Sequence, residues 1–456
     1  MDALRGWRLG LFAVLAAGVV AQEPTADVAR RATALREAGK TAEALALLDG
    51  AILADGKDAA LLLLRAAVHL RGEAVDDALA DCDRALELLV PTGDLTALVG
   101  DAAQVRTIAG ALRLRGVVRS KLGEWGASLP DLENATALQP KDSDLWRLRA
   151  HTELCLGRLD AAVASLGKAA DVHDGDEAMY LKVRSDILLL AERAPAARAD
   201  LERANKLAKG TPAAVTIELA LAAHASVTRN AAAARAAWDR LFASAPEFAG
   251  WAALLRWSIA GTSDRGAAER RLRDDFAKLP EDEALLAELF RLCSDGTGDS
   301  NGMKLPGRDA TARCQLWFFA GCRAAQQGRD AEARVRWLRS VNTGRFDQAQ
   351  WGLALARLRE SARGKKLQPA LGIKVAPAAA ATTPVLLVTA LDEDGAAAIQ
   401  GLLNGDRIVR VNASPATPAA FEAMTKAIAI ATPVRFVVER GGKAQTLRIT
   451  AGVAAP

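Results

Sequence analysis

A small residue returns at a near-constant interval along most of this chain, at Ala44, Ala78, Ser128, Ala162, Ala197, Ala234, Ala268 and Ala333. That recurrence restricts the fold more than any other feature. The successive gaps are 34, 50, 34, 35, 37, 34 and 65 residues. A period near 34 belongs to helix–turn–helix units, in which small side chains let two helices cross closely and large ones fill the seam. One such pair cannot bury its own apolar face, so neighbours stack into a superhelical solenoid whose inner surface is lined by the first helix of each pair. The hydrophobic share, 51%, is swollen by alanine, which suits close helix–helix contact.

Residues 109–140 show the unit well. Leu112 and Gly116 fall on a first helix, Gly123 in the turn, and Leu132 and Ala135 on a second helix ending at Pro140. The next unit repeats this with Trp146, Ala150, Gly157, Ala162, Leu166 and Ala169. The pattern resembles the tetratricopeptide family. Eight repeats over 25–360 are expected, with an insertion around 90–107. The gap of 65 leaves room for a degenerate unit holding a helix over Glu283–Cys293 and an irregular loop over about 294–312. In phase, one inner-face position carries Arg113, Arg147 and Lys182, and a neighbouring one Val117, His151 and Asp186. Arg113, Arg147, His151 and Lys182 are therefore candidate contacts on the concave surface. Such a basic stripe suits an acidic segment or a chain-terminal carboxylate; a solvated face is the alternative. The Asn residues with which some family members clamp a carboxylate are missing.

After 361–368, a charged linker ending at Pro369, the period changes from helical to alternating. Arg435–Arg440 and Gln445–Ile449 read as strands joined by Gly441-Gly442, a pair suited to a tight hairpin turn. Ile408–Val411 is a further strand, and Thr417-Pro418 opens a helix running to about Ile430. The order Leu371-Gly372-Ile373, Gly401-Leu402-x-x-Gly405-Asp406, Ile408-x-x-Val411-Asn412 and Glu439-Arg440-Gly441 resembles the PDZ domain of exported HtrA-type and C-terminal processing proteases, over residues 369–452. Three departures stand out: Asn412-Ala413 replaces the usual Asn-Gly, Thr432-Pro433 stands before Val434 where glycine is common, and an Ala/Pro/Thr stretch over 376–384 follows the first strand. The resemblance implies capture of a peptide by strand addition. By position, Leu371, Gly372 and Ile373 would form the carboxylate-binding loop and edge strand, with Ala420, Met424 and Ile428 on the facing helix. Alternatively, Met424 and Ile428 belong to the core and the module is a rigid spacer.

The first 21 residues read as a secretory signal: Arg5 and Arg8, an apolar run from Leu9 to Ala21, and a cleavage site after Val19-Val20-Ala21. The alternative is an uncleaved N-terminal anchor. No later stretch is long and apolar enough to span a bilayer. The five cysteines form no CxxC pair, which argues against zinc, and Cys293 has Cys314 or Cys322 as possible disulfide partners. The loop 295–302 has alternating oxygen-bearing residues but lacks the twelfth-position Glu of a calcium loop. With 59 basic against 55 acidic residues and no basic block, nucleic acid is not an expected partner. No nucleophile elbow, His-Glu-x-x-His or phosphate-binding loop occurs, so neither a catalytic site nor a cofactor or metal is expected.

The expected fold is multidomain: an all-α tetratricopeptide-like solenoid followed by a small β-rich (α+β) PDZ-like domain. The expected function is that of an exported, non-enzymatic scaffold binding proteins or peptide C-termini, an exported protease or envelope protein among them. A structural subunit of an envelope assembly, with a docking module that binds no free peptide, is the alternative.

Overall fold

The computed structural model describes residues 23–454 except 94, 96–101, 174–176, 229, 261–263, 280–283, 295–308, 346–347, 363–365 and 379–383. The expected signal segment and the loop 295–302 lie outside the described residues. The chain divides into two compact units, Met1–Tyr180 and Leu181–Pro456. The division falls inside the helical array rather than at the 361–368 linker.

Unit 1 is built of antiparallel helix pairs: α1 (Glu23–Glu37) with α2 (Thr41–Ala54), α3 (Ala59–Arg71) with α4 (Val75–Leu89), α5 (Ala102–Leu122) with α6 (Trp125–Leu138), and α7 (Ser143–Cys155) with α8 (Leu159–Val172). Asp58 and Asp142 cap α3 and α7, each accepting two backbone N–H bonds. The small-residue phase has a steric basis. Ala44, Ala78, Ser128 and Ala162 are all 0% exposed, and a Cβ on Gly116 would meet Leu132 Cγ at 3.0 Å. Of the expected insertion over 90–107, Ala102–Thr107 belong to α5, which is 21 residues long, and 94 and 96–101 lie outside the described residues.

A second in-phase device ties the pairs together. In α3, Arg65 donates through Nε (2.9 Å) and Nη2 (2.6 Å) to Asp81 of α4 and through Nη1 (2.7 Å) to Asp49 of the preceding pair. Arg115 of α5 repeats this with Asp131 (3.0 and 2.7 Å) and Asp83 (3.0 Å). Each guanidinium ties its own pair together and to the pair before it.

In unit 2 the described helices are the end of α9 (Glu177–Leu190), α10 (Ala194–Ala208), α11 (Ala213–Val227), α12 (Ala231–Ser244), α13 (Ala249–Ser258), α14 (Arg265–Phe276), α15 (Ala284–Ser294), α16 (Ala310–Gln326), α17 (Asp330–Asn342) and α18 (Ala349–Ser361). Ala197, Ala234 and Ala333 keep the phase and are 0% exposed, and Arg184 pairs with Asp200 as the arginines of unit 1 do with their aspartates. Helix α15 occupies the degenerate unit. The irregular stretch ends earlier than 312, since α16 begins at Ala310.

Helix α18 does not extend the stack. It packs on α11, α16 and its neighbour α17, burying Trp351, Leu353, Ala354, Leu355 and Leu358. Its Arg357 donates to Ser258 O at the end of α13 (3.5 Å), and Arg359 to Leu189 O (3.2 Å) and Leu190 O (2.9 Å) at the end of α9. Helices α9, α11, α13 and α16 are first helices of their pairs, the ones that line the inner face of such an array. In unit 2 that face is therefore covered by the chain's own helix.

The C-terminal module of unit 2 is an antiparallel sheet of β2 (Ile373–Pro377), β3 (Leu386–Leu391), β4 (Arg407–Val411), β6 (Pro433–Arg440) and β7 (Lys443–Thr450), in that spatial order. The short β5 (Ser414–Pro415) lies beside β4, and β1 (Pro369–Ala370) pairs with β8 (Gly452–Val453). A short α19 (Ala396–Ile399) follows β3, and α20 (Pro418–Ala427) follows β5. Gly441-Gly442 makes the β6–β7 turn with φ of 57° and 75°, the pair of positive angles such a hairpin needs. Thr417 caps α20 through the Ala420 N–H at 3.1 Å. The helix stops at Ala427, short of Ile430, because Ile428 is already extended (ψ 144°). Leu371, Leu386, Val388, Leu402, Ile408, Phe421, Val434, Phe436 and Ile449 form the module's core.

Candidate functional site

Strand β2 lies at the edge of the sheet and pairs only with β3 among the described residues. The loop before it is held in an unusual conformation. Leu371 O accepts the Ala397 N–H (2.8 Å) and Gly372 O accepts the Asp392 N–H (2.9 Å). A trans peptide is planar with its N–H opposed to its C=O, so the N–H groups of Gly372 and Ile373 point away from those donors. Gly372 itself has φ +70°, the left-handed member of the paired conformation from which anion-binding backbone nests are built. The Gly372 N–H has no protein acceptor among the described residues. A Cβ there would lie 2.8 Å from Gly395 Cα, so the position excludes any side chain.

The register sets the rest of the edge. Ala378 donates to Val385 O (2.9 Å) and Ala376 stands opposite Leu387. Inward and outward groups alternate along an antiparallel strand, so Val375 and Pro377 face outward. Pro377 has no N–H, and a guest strand therefore finds donors at Gly372, Ile373 and Val375 and none at Pro377.

Among the expected site residues, Leu371 takes part through its backbone alone, since its side chain is 3% exposed in the core. Ile373 and Val375 of β2, Met424 of α20 and Ile428 just past its end are half-buried and pack on that same core. The core reading of Met424 and Ile428 and the groove reading thus meet in the same side chains. Ala420 is half-exposed in the first turn of α20.

The basic stripe is not free. Arg113 reaches Asp142 and Asp144 at 3.8 Å each, and Arg147 reaches Asp144 at 2.9 Å. These carboxylates lie at and just beyond the N-cap of α7, the repeat position at which Asp58 caps α3, and not at the inner-face positions that Arg113, Arg147 and Lys182 share. His151 carries no charge at neutral pH, because burial and the nearby Arg147 hold it down at about 4; its ring meets Trp125 edge-on. Lys182 pairs with Asp186 one turn away (2.8 Å). All five cysteines are free and buried, so Cys293 forms no bridge to Cys314 or Cys322. No group of His, Cys, Asp and Glu among the described residues is arranged to hold a metal. No described helix is long and apolar enough to cross a membrane.

A shallow cavity of about 350 Å³ lies over Leu403, Asp406, Arg407, Glu439 and Arg440. Its Asp406 is 3% exposed and accepts two bonds from Arg440 (2.7 and 2.6 Å) and one from the Leu403 N–H (2.9 Å). Burial alone would raise this carboxyl, but Arg440 and the Leu403 N–H outweigh it and hold it below its ordinary value. A depressed carboxyl stabilises the fold above its unfolded-state pKa and loses that contribution as pH falls through the folded one. Urea unfolding of wild type and Asp406→Asn should therefore differ most at pH 7 and converge below pH ~4. A gap that stays constant with pH would refute this role.

No family model matches the sequence, and no curated protein matches it. Solved structures similar to the chain include a crystal structure of MamA (16% identity, TM-score 0.34, covering 39% of this chain and 94% of that one). YrrB, described as a TPR protein with an unusual peptide-binding site, aligns at 19% identity and TM-score 0.33 over 41% of this chain and 89% of its own. A tetratricopeptide repeat protein from Parabacteroides merdae aligns at 11% and TM-score 0.42 over 65% and 97%. At these values the likeness is one of helical repeats and goes no further.

Proposed function

We propose that this chain is a non-catalytic protein-binding scaffold that is exported, with cleavage after Ala21, and captures an extended peptide end on β2. The observation that carries the reading is the Gly372 loop, whose two carbonyls are tied off so that its N–H groups turn outward at the head of an edge strand that pairs only with β3 among the described residues. Those N–H groups suit a terminal carboxylate, and Ile373, Val375, Met424 and Ile428 supply the apolar wall for a side chain. The helical pairs of unit 1 offer a second surface for a protein partner, an envelope protein or exported protease, and linkage of two sites raises effective concentration. The self-covered inner face of unit 2 is not counted among the binding surfaces.

A peptide library with free C-termini, selected on the intact chain, tests this. It should enrich an apolar carboxyl-terminal consensus, and Gly372→Val should weaken capture of the enriched peptide at least ~100-fold, about 2.7 kcal/mol. Equal affinity of the two proteins by fluorescence anisotropy would remove the groove from the account. The second reading, a structural subunit whose sheet module only docks, draws on the close seating of that module against α17. It predicts no enrichment at all.

A further inference from the structure

The Gly372 loop is not held by its own module alone. The turn that supplies its supporting donors, Asp392–Gly395 with α19 behind it, is gripped from the other side by the final helical hairpin. Asn342, at the end of α17 and 0% exposed, donates through Nδ2 to Asp394 O (2.6 Å) and to Val453 O (3.3 Å) and accepts the Val453 N–H (2.9 Å). One turn earlier, Arg339 pairs with the Asp394 carboxylate while lying over the Trp317 ring (4.7 Å). Arg313 of α16 donates to Ile399 O at the end of α19 (2.9 Å). Gln400 closes the arrangement, donating to Asn342 O (2.9 Å) and Thr450 O (2.8 Å) and accepting the Thr450 N–H (2.8 Å).

We propose that Arg313, Arg339 and Asn342 are positioning residues for the β2 edge, so that the helical hairpin sets whether the Gly372 loop is ready to take a peptide end. The route is short and continuous. Asn342 and Arg339 fix Asp394; Asp394 lies between Asp392, which donates to Gly372 O, and Gly395, whose Cα abuts Gly372. Ala397, which donates to Leu371 O, belongs to the short helix whose end Arg313 holds. Without these anchors the two donors loosen, the peptide planes of Leu371 and Gly372 regain their freedom, and their N–H groups no longer converge. The inference concerns the loop itself and rests on the proposed function only where it speaks of peptide capture.

Hydrogen exchange of the full chain, read at the supporting donors Asp392 and Ala397 and over residues 369–378, tests it. Arg339→Ala, Asn342→Ala and Arg313→Ala should each raise exchange there at least tenfold, with helical content by circular dichroism unchanged. Arg407→Ala, which breaks the exposed pair with Glu439 elsewhere on the module, should not. Arg339 and Arg313 are only half-buried, so these two variants decide the matter if Asn342→Ala misfolds. Exchange within twofold of wild type in folded Arg339→Ala and Arg313→Ala would overturn the proposal. If exchange rises but a library of free C-termini enriches nothing on the wild type, the positioning stands and the capture reading falls. If a peptide is enriched and binds the folded variants as tightly as wild type, the capture reading stands and the positioning role falls.

Discussion

Gly452→Val is expected to lower the stability of the Leu181–Pro456 unit by roughly 3 kcal/mol, a loss at the high end for a single substitution. A Cβ at this position would sit 1.8 Å from Asn342 Oδ1 and 2.8 Å from its Cγ, so the buried amide must leave. Its departure strands the backbone groups of Val453 and the carbonyl of Asp394, and each buried polar group left unpaired costs about 1–3 kcal/mol. Val453 also lies in the apolar cluster of the helices rather than that of the sheet, so its displacement opens the helical core. Urea denaturation should show the earlier midpoint, and protease sensitivity should appear near the 361–368 segment as the module lifts. Combining Gly452→Val with Asn342→Gly should recover part of the loss, because the two side-chain atoms nearest the new Cβ are gone and only the Asn342 Cα, at 3.2 Å, remains close. A double variant less stable than either single would show that the clash is not the cause.

That docking could not be read from the sequence, and the reason is physical. The repeat announces itself because close crossings demand a small side chain: Ala44, Ala78, Ser128, Ala162, Ala197, Ala234 and Ala333 are all wholly buried, while Ala268, in the same phase, is half-buried. Asn342 meets a need that arises once, at the end of one helix, and a single polar residue has no period. Helix α18 was equally hidden. Its buried face looks like that of any repeat helix, and only the contacts of Arg357 and Arg359 with the ends of α13 and α9 show that it lies on the inner face. The sheet module was more legible, since its turns are local: Gly441-Gly442 and Thr417-Pro418 specify a hairpin and a helix start whatever surrounds them.

The arginine–aspartate device carries a sequence period of its own. Asp81, Asp131 and Asp200 each stand three residues after an in-phase small residue, and Arg65, Arg115 and Arg184 sixteen before them. Ser165 breaks the series, and there Arg149 turns instead to Glu153 (2.9 Å), which Ser165 supports at 2.7 Å. A buried acid that returns with the repeat requires a partner that does the same.

Asp131→Ala should accordingly destabilise unit 1 by about 3 kcal/mol, the lower end of the cost of breaking a buried pair. The Asp131 side chain is 4% exposed and serves two guanidiniums, Arg115 (3.0 and 2.7 Å) and Arg119 (2.9 Å). Arg115 keeps Asp83 after the change, which is why the upper end of the range is not reached. Asp131→Asn, which retains an acceptor but not the charge, should cost about half as much. Glu87→Ala, in an exposed pair with Arg84, should cost no more than ~0.5 kcal/mol. Because Arg115 bonds both its own pair and the one before it, the damage should also reach the interface between them. In a stacked array that interface carries the cooperativity, so hydrogen exchange in Asp131→Ala should accelerate in α3 and α4 as well as in α5 and α6. Acceleration confined to α5 and α6 would mean that the guanidinium serves its own hairpin and leaves the joint between hairpins to apolar packing.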